Sequence, residues 1–350
     1  MSRWRSYSPV EVHENIESQC HELLLSIFGF IAFDYDLQTL DDDKLAGRNE
    51  LAVALQDFLG AFQKTLQMPN FIAKIFLKTN EKYKRAKGII ERYLYDMMEQ
   101  ELNQSRDVTE QRKRNCLIAS LVGSLQENEQ AEAEKNDEDK KGLSRTELLH
   151  EMLLFLVAGY ETAATTLAWF IHLASKNPHV QQKLKEELTN NGVDRDLTIE
   201  KLDCLTYLDM TINETLRFTP PAIGTNRTLT ADDRLPQSGI QLYKGDQVHI
   251  SFYSLGHDRR YWSIDPERFY PERFLTDDKD HHSCAYLPFG GGHRQCIGQD
   301  LARLELKVII TRLMQHVTFG DGGPEVNSGG HFENIVTHPH HVGVTIQFDQ

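Results

Sequence analysis

Residues 287–298 read Leu-Pro-Phe-Gly-Gly-Gly-His-Arg-Gln-Cys-Ile-Gly, and few local structures accommodate that string. Three consecutive glycines, Gly290 to Gly292, let the backbone turn tightly with positive φ and come close to a flat partner. Cys296 follows four residues after the last of them, just ahead of an apolar-periodic run over residues 299–314 that reads as a helix. Amide N–H groups and the helix dipole at such a start favour a thiolate over a thiol. A thiolate beneath a tight backbone loop is a metal ligand. Three plainer readings compete. A cysteine near a helix is often inert filler. His281, His282, Cys284, His293 and Cys296 crowd together in the manner of a zinc site, although no C-x-x-C pair is present. A phosphate loop fails, because the G-K-[S/T] ending is missing and the G-x-G-x-x-G spacing breaks at Gln295.

A second stretch bears on the first. Ser144-Arg145-Thr146-Glu147 is a capping box, and the pattern it opens runs to Asn177, before Pro178. At 1.5 Å per residue that helix is about 50 Å long. Its middle, residues 152–160, is apolar all round and predicts burial on every side. Within lies Ala158-Gly159-Tyr160-Glu161-Thr162. Gly159 leaves room beside the backbone, and Thr162 can bond back to an upstream carbonyl and bend the ladder. Glu161 is a carboxylate in apolar surroundings, costly without a partner or a task. A small residue, an acid and an alcohol side by side can relay a proton to a bound ligand; a kinked helix with a salt-bridged glutamate is the structural alternative.

Residues 207–218 predict a helix stopped by Thr219-Pro220-Pro221 and carrying Glu214-Thr215-Leu216-Arg217, a pair three apart on one face. Further on comes Pro271-Glu272-Arg273-Phe274, with a near-copy at Asp265-Pro266-Glu267-Arg268-Phe269. These four elements together resemble the cytochrome P450 (haem-thiolate monooxygenase) family. Phe289, Gly292, Arg294, Cys296 and Gly298 match F-x-x-G-x-R-x-C-x-G, residues 158–162 match [AG]-G-x-[DE]-T, and E-x-x-R and P-E-R-F follow in family order. Ala163, often a hydroxyl residue in the family, departs slightly.

The resemblance implies a mostly α fold with small β-sheets, binding haem b. Cys296 would be the axial iron ligand, the strongly donating one that favours O–O cleavage. Arg294 and Arg227 would meet haem propionates, with Phe289, Gly290, Gly292 and Gly298 shaping the loop. Ala158, Gly159, Glu161 and Thr162 would form the oxygen-activating segment. Glu214, Arg217 and Arg273 would form a structural network holding the loop under the haem. The implied reaction inserts one oxygen atom from O2 into a small, apolar organic substrate, with electrons from NADPH through a flavoprotein reductase. Phe155, Ala158, Ile223 and Val336 are candidate pocket residues. A haem-thiolate isomerase or dehydratase would share the loop without needing Glu161 and Thr162. A haem-binding but catalytically incomplete chain is the other alternative.

The remaining sequence sets bounds. The 350 residues carry a net charge of −14, which argues against nucleic acid and general adhesion to anionic lipid. Five scattered cysteines make no disulfide framework. Residues 11–33, 50–67 and 108–125 each predict a helix and 71–103 one or two, with Leu51, Leu55, Phe58, Leu59 and Phe62 on one face of the second. Residues 126–142 form a charged, low-complexity connector. Residues 1–143 thus read as a helical region and 144–350 as the haem-binding core of one incomplete domain. Short strands are expected over 225–230, 240–243 and 247–252 in one small sheet, a glycine-rich loop over 321–331, and a terminal strand over 342–348. The N-terminal part of the family fold is expected to be missing: Trp4 is followed at the W-x-x-x-R distance by Ser8. No membrane anchor is expected, since the apolar run over 23–33 is shorter than the roughly 20 residues a span needs. A full-length parent would sit on the cytosolic face of the endoplasmic reticulum membrane.

Overall fold

The computed structural model describes residues 2–5, 8–40, 49–66, 68–105, 111–125, 132, 135, 139, 141–193, 196–327 and 330–349. Most of the expected connector over 126–142, and the start of the helix expected from 108, lie outside the described residues. The fold is mostly helical with small antiparallel sheets. It divides into two compact units, one of residues 18–164 and one of residues 1–17 with 165–350. The division falls inside the long helix.

Among the described residues the first unit is built from helices, with one isolated bridge between Leu125 and Leu143. Ile16–Phe33 enters it, followed by Glu50–Leu66, Asn70–Thr79, Glu81–Leu102 and Leu117–Val122. Leu51, Leu55 and Leu59 recur at helical spacing and are buried, as the periodicity requires, while Phe58 stacks on Tyr83 and Phe62 is exposed. The run expected over 71–103 breaks in two at Asn80, whose side chain accepts from the Tyr83 amide and so caps the second helix. Asn70–Thr79 buries none of its residues, and Phe71, Ile72 and Ile75 face outward.

The capping box opens Arg145–Lys176 as expected: the Ser144 amide donates to Glu147 Oε2 (2.9 Å) and the Glu147 amide to Ser144 Oγ (3.2 Å). The helix is not buried all round. Leu154 and Ala158 are exposed and Thr162 is half-buried, one residue per turn along a single stripe. By length and composition this helix and Ile16–Phe33 could each cross a membrane, but most of each apolar window is buried, as in a core helix.

The second unit continues with Pro178–Asn190, which has Pro at its first position, then Ile199–Asp203 and Thr206–Phe218. Its strands are β1 (Val12–His13), β2 (Gly224–Thr228), β3 (Asp233–Arg234), β4 (Gln241–Leu242), β5 (Gln247–Ser251), β6 (Val317–Asp321), β7 (His331–Asn334), β8 (Val336–Pro339) and β9 (Val344–Phe348). The single small sheet expected from the middle strands is instead two ribbons, β2–β5 and β3–β4. β7 and β8 pair within and beyond the expected glycine-rich loop, and β1-β9-β6 form a three-stranded sheet. The β6 edge is finished by a side chain. Gln181 donates to the Phe319 carbonyl (2.7 Å) and accepts from the Phe319 amide (2.9 Å), replacing a strand neighbour.

Candidate functional site

The cysteine loop is closed by its own backbone. The Gly290 amide donates to the Leu287 carbonyl (3.0 Å), Gln295 to Gly292 (3.1 Å) and Cys296 to Phe289 (2.9 Å). Gly290 and Gly292 have φ of +71° and +68°, the left-handed region that disfavours a side chain. Gly298 is the N-cap of Gln299–Met314, and its carbonyl accepts from Ala302 (2.9 Å). The loop presents Cys296 and Arg294 to the outside, beside Ile297, which is 89% exposed. One exposed thiol, a guanidinium two residues before it and an open aliphatic side chain after it fit a flat, apolar, acid-bearing ligand that needs one sulfur donor. Zinc does not fit: among the described residues, no group of three ligating side chains within reach of one metal ion includes Cys296. His281 instead stacks on Trp262 (centroids 4.9 Å apart) and His282 accepts from the Cys284 amide. Arg227, on β2, donates to Thr225 Oγ1 (2.6 Å) and the Asn226 carbonyl (2.9 Å).

The same unit holds a fully buried ion network. Glu214 accepts from Arg217 Nε (2.7 Å) and Nη2 (2.9 Å), from Arg273 Nε (3.0 Å) and from the Tyr270 amide (2.8 Å). Arg273 belongs to the second P-E-R-F copy; Arg268, of the first, contributes only its carbonyl. The two guanidinium groups satisfy their remaining donors on the carbonyls of Gly256, Ile264, Asp265 and Pro266. Sequence reasoning missed a fourth member. Asp278 accepts from Arg273 Nη1 (2.9 Å) and holds the Ser263 amide (2.6 Å). Trp262 lies against both arginines, its centroid 5.3 Å from Arg217 and 5.6 Å from Arg273.

On the long helix the five motif residues diverge. Thr162 Oγ1 donates back to the Ala158 carbonyl (3.1 Å), and both lie on the open stripe. Glu161 is buried on another face, its Oε1 3.4 Å from His21 Nε2. The neighbouring Tyr160 hydroxyl is pushed well above its ordinary range, first by burial and then by the Glu161 charge. The room beside Gly159 is taken by Phe28: a Cβ there would lie 2.0 Å from its ring. Of the candidate pocket residues, Ala158 is exposed, Phe155 and Ile223 are half-buried, and Val336 is buried in β8.

A cysteine offered by a glycine-cornered loop at a helix start, together with a buried Glu–Arg–Arg network in a mostly helical fold, is the combination found in haem-thiolate proteins. The cytochrome P450 family model matches residues 13–345, and the chain belongs to that family. Among its relatives are cytochrome P450 9e2 of Blattella germanica (37% identical, over 57% of this chain and 38% of the relative) and cytochrome P450 3A11 of Mus musculus (38%, over 53% and 37%). Cytochrome P450 3A7 of Homo sapiens is 38% identical over 53% of this chain and 37% of its own length. The chain thus matches less than two-fifths of the length of these relatives.

Proposed function

We propose that the chain carries the haem-binding part of a monooxygenase that inserts one oxygen atom from O2 into a small apolar substrate, drawing electrons from NADPH through a flavoprotein reductase. The observation that carries this reading is the exposed Cys296 at the end of a loop whose two left-handed glycines leave its outer side open. Cys296 Sγ would bind the iron of haem b, with Arg294 and Arg227 serving the propionates and Phe289, Gly290, Gly292 and Gly298 shaping the seat. When bound, haem would supply oxygen reduction and insertion. Glu214, Arg217 and Arg273 hold the segment beneath the loop rigid. Thr162 Oγ1 is the hydroxyl that passes a proton, Glu161 Oε1 the buried acid that stores one beside His21, and Ala158 the small residue that leaves the stripe open.

The same reading places the protein at the cytosolic face of the endoplasmic reticulum membrane. The outward Phe71, Ile72 and Ile75, flanked by Lys74 and Lys78, suit an interfacial helix. The test is an absorption spectrum of the haem-loaded chain, reduced and exposed to carbon monoxide. A strongly red-shifted Soret band in the wild type, lost in Cys296→Ser, supports the reading; an unshifted band in both overturns it. Thr162→Ala should then divert oxygen use into peroxide release, and unchanged coupling would remove Thr162 from the relay.

A further inference from the structure

The loop that carries Cys296 is tied to the ion network through a small polar node that no sequence motif marks. Asn213 stands one residue before Glu214 on Thr206–Phe218. Its Oδ1 accepts two hydrogen bonds, from Tyr286 Oη (3.0 Å) and from Arg303 Nη1 (2.9 Å). Arg303 lies on Gln299–Met314, two turns beyond Cys296, and its guanidinium covers the Phe289 ring at 5.2 Å. The Phe289 carbonyl is the acceptor of the Cys296 amide. Tyr286 in turn packs on Phe274, the residue after Arg273 (centroids 5.4 Å apart). One turn of helix therefore grips the P-E-R-F segment through Glu214 and the cysteine loop through Asn213.

We infer that Arg303, anchored by Asn213, is a positioning residue that fixes the Phe289 ring and, through the Phe289 carbonyl, the Cys296 backbone, and so sets how strongly the sulfur donates to a bound metal. The inference rests on the haem-thiolate reading of Cys296. Asparagine suits the position because a neutral oxygen with two lone pairs serves both donors at once; a carboxylate there would compete with Glu214 for the arginines. Arginine suits its position because a planar cation can cover a ring while donating in its own plane.

Two variants separate charge from anchoring. Arg303→Met removes the cation and keeps the bulk; Asn213→Ala keeps the cation and releases it. Spectroelectrochemical titration of the haem-loaded proteins should shift the ferric/ferrous equilibrium of Arg303→Met toward ferric by about tenfold, 59 mV for one electron. Asn213→Ala should shift it the same way by a smaller factor, and Arg303→Lys, which keeps the charge without the planar fork, should restore part of the change. In the haem-free proteins, iodoacetamide labelling of Cys296, followed on its own peptide by mass spectrometry, should change rate several-fold in the first two variants and return toward wild type in the third. Unchanged potential and unchanged labelling in folded Arg303→Met and Asn213→Ala overturn the inference, as does a full effect in Arg303→Lys equal to that in Arg303→Met. If Cys296 proves not to bind haem, the functional reading fails by its own carbon monoxide spectrum. The labelling series on the haem-free chain still decides whether Arg303 and Asn213 control the loop.

Discussion

At the scale of single residues, the most constrained atoms are those of Glu214. Its side chain has no exposure and meets two guanidinium groups and a backbone amide. Breaking a buried pair leaves an uncompensated charge, at a cost of about 3–5 kcal/mol. Glu214→Gln should therefore lower the unfolding free energy by that much, read as a lower urea midpoint at an unchanged slope, and a loss below about 1 kcal/mol would mean that the network rearranges. Gly159 is constrained differently: the phenyl ring of Phe28 occupies the place of its missing side chain, so the position answers to packing whatever else it does. The motif letters announced Glu214, Arg217, Arg273 and Cys296 because each sits in a short string of fixed spacing. Asp278 and Asn213 also hold neighbouring segments by side-chain hydrogen bonds, but their partners lie on other segments, and no local period records them.

At the scale of elements, caps and periods made the helices legible. Ser144 with Glu147, Pro178 at a first position and Thr198 accepting from Lys201 each fix a start that could be read from adjacent letters. The strands were harder. β1 has two residues, and β8 reads Val-Thr-His-Pro, whose proline and histidine look like loop. Their pairing partners are supplied by tertiary structure, which the alternation rule does not see. Gln181 is the clearest case, a side chain on one helix completing the hydrogen bonds of Phe319, 138 residues away. Gln181→Leu leaves a buried amide and a buried carbonyl unpaired, each costing about 1–3 kcal/mol. Hydrogen exchange at the Phe319 amide should rise sharply in that variant while the β9 amides, in the strand paired with β6, keep their protection.

Across the whole molecule, two buried ionisable groups set opposite limits on pH. Burial holds His172 down at about 4, so the unfolded chain takes up a proton near 6.5 that the folded one refuses. Stability contributed by neutral His172 is present above about 6.5 and is lost as pH falls toward 4. Burial raises Glu305 to about 7. The folded chain keeps that proton above 4.5, and the associated stability is lost as pH rises from there to about 7. Each contributes on the order of 1–3 kcal/mol. Thermal melts should therefore peak between about pH 5 and 6.5, and Glu305→Gln should flatten the alkaline side alone. A maximum above pH 8 in the wild type would contradict the Glu305 assignment. The way β6 is finished has one more consequence, for crowds of these molecules rather than for one. An exposed outer strand is a template onto which another chain can zip. Here one outer strand is two residues long and the other has its central peptide already spoken for by a glutamine amide. That blunting leaves the three-stranded sheet without a seam for strand addition, so concentrated solutions should not polymerise through it.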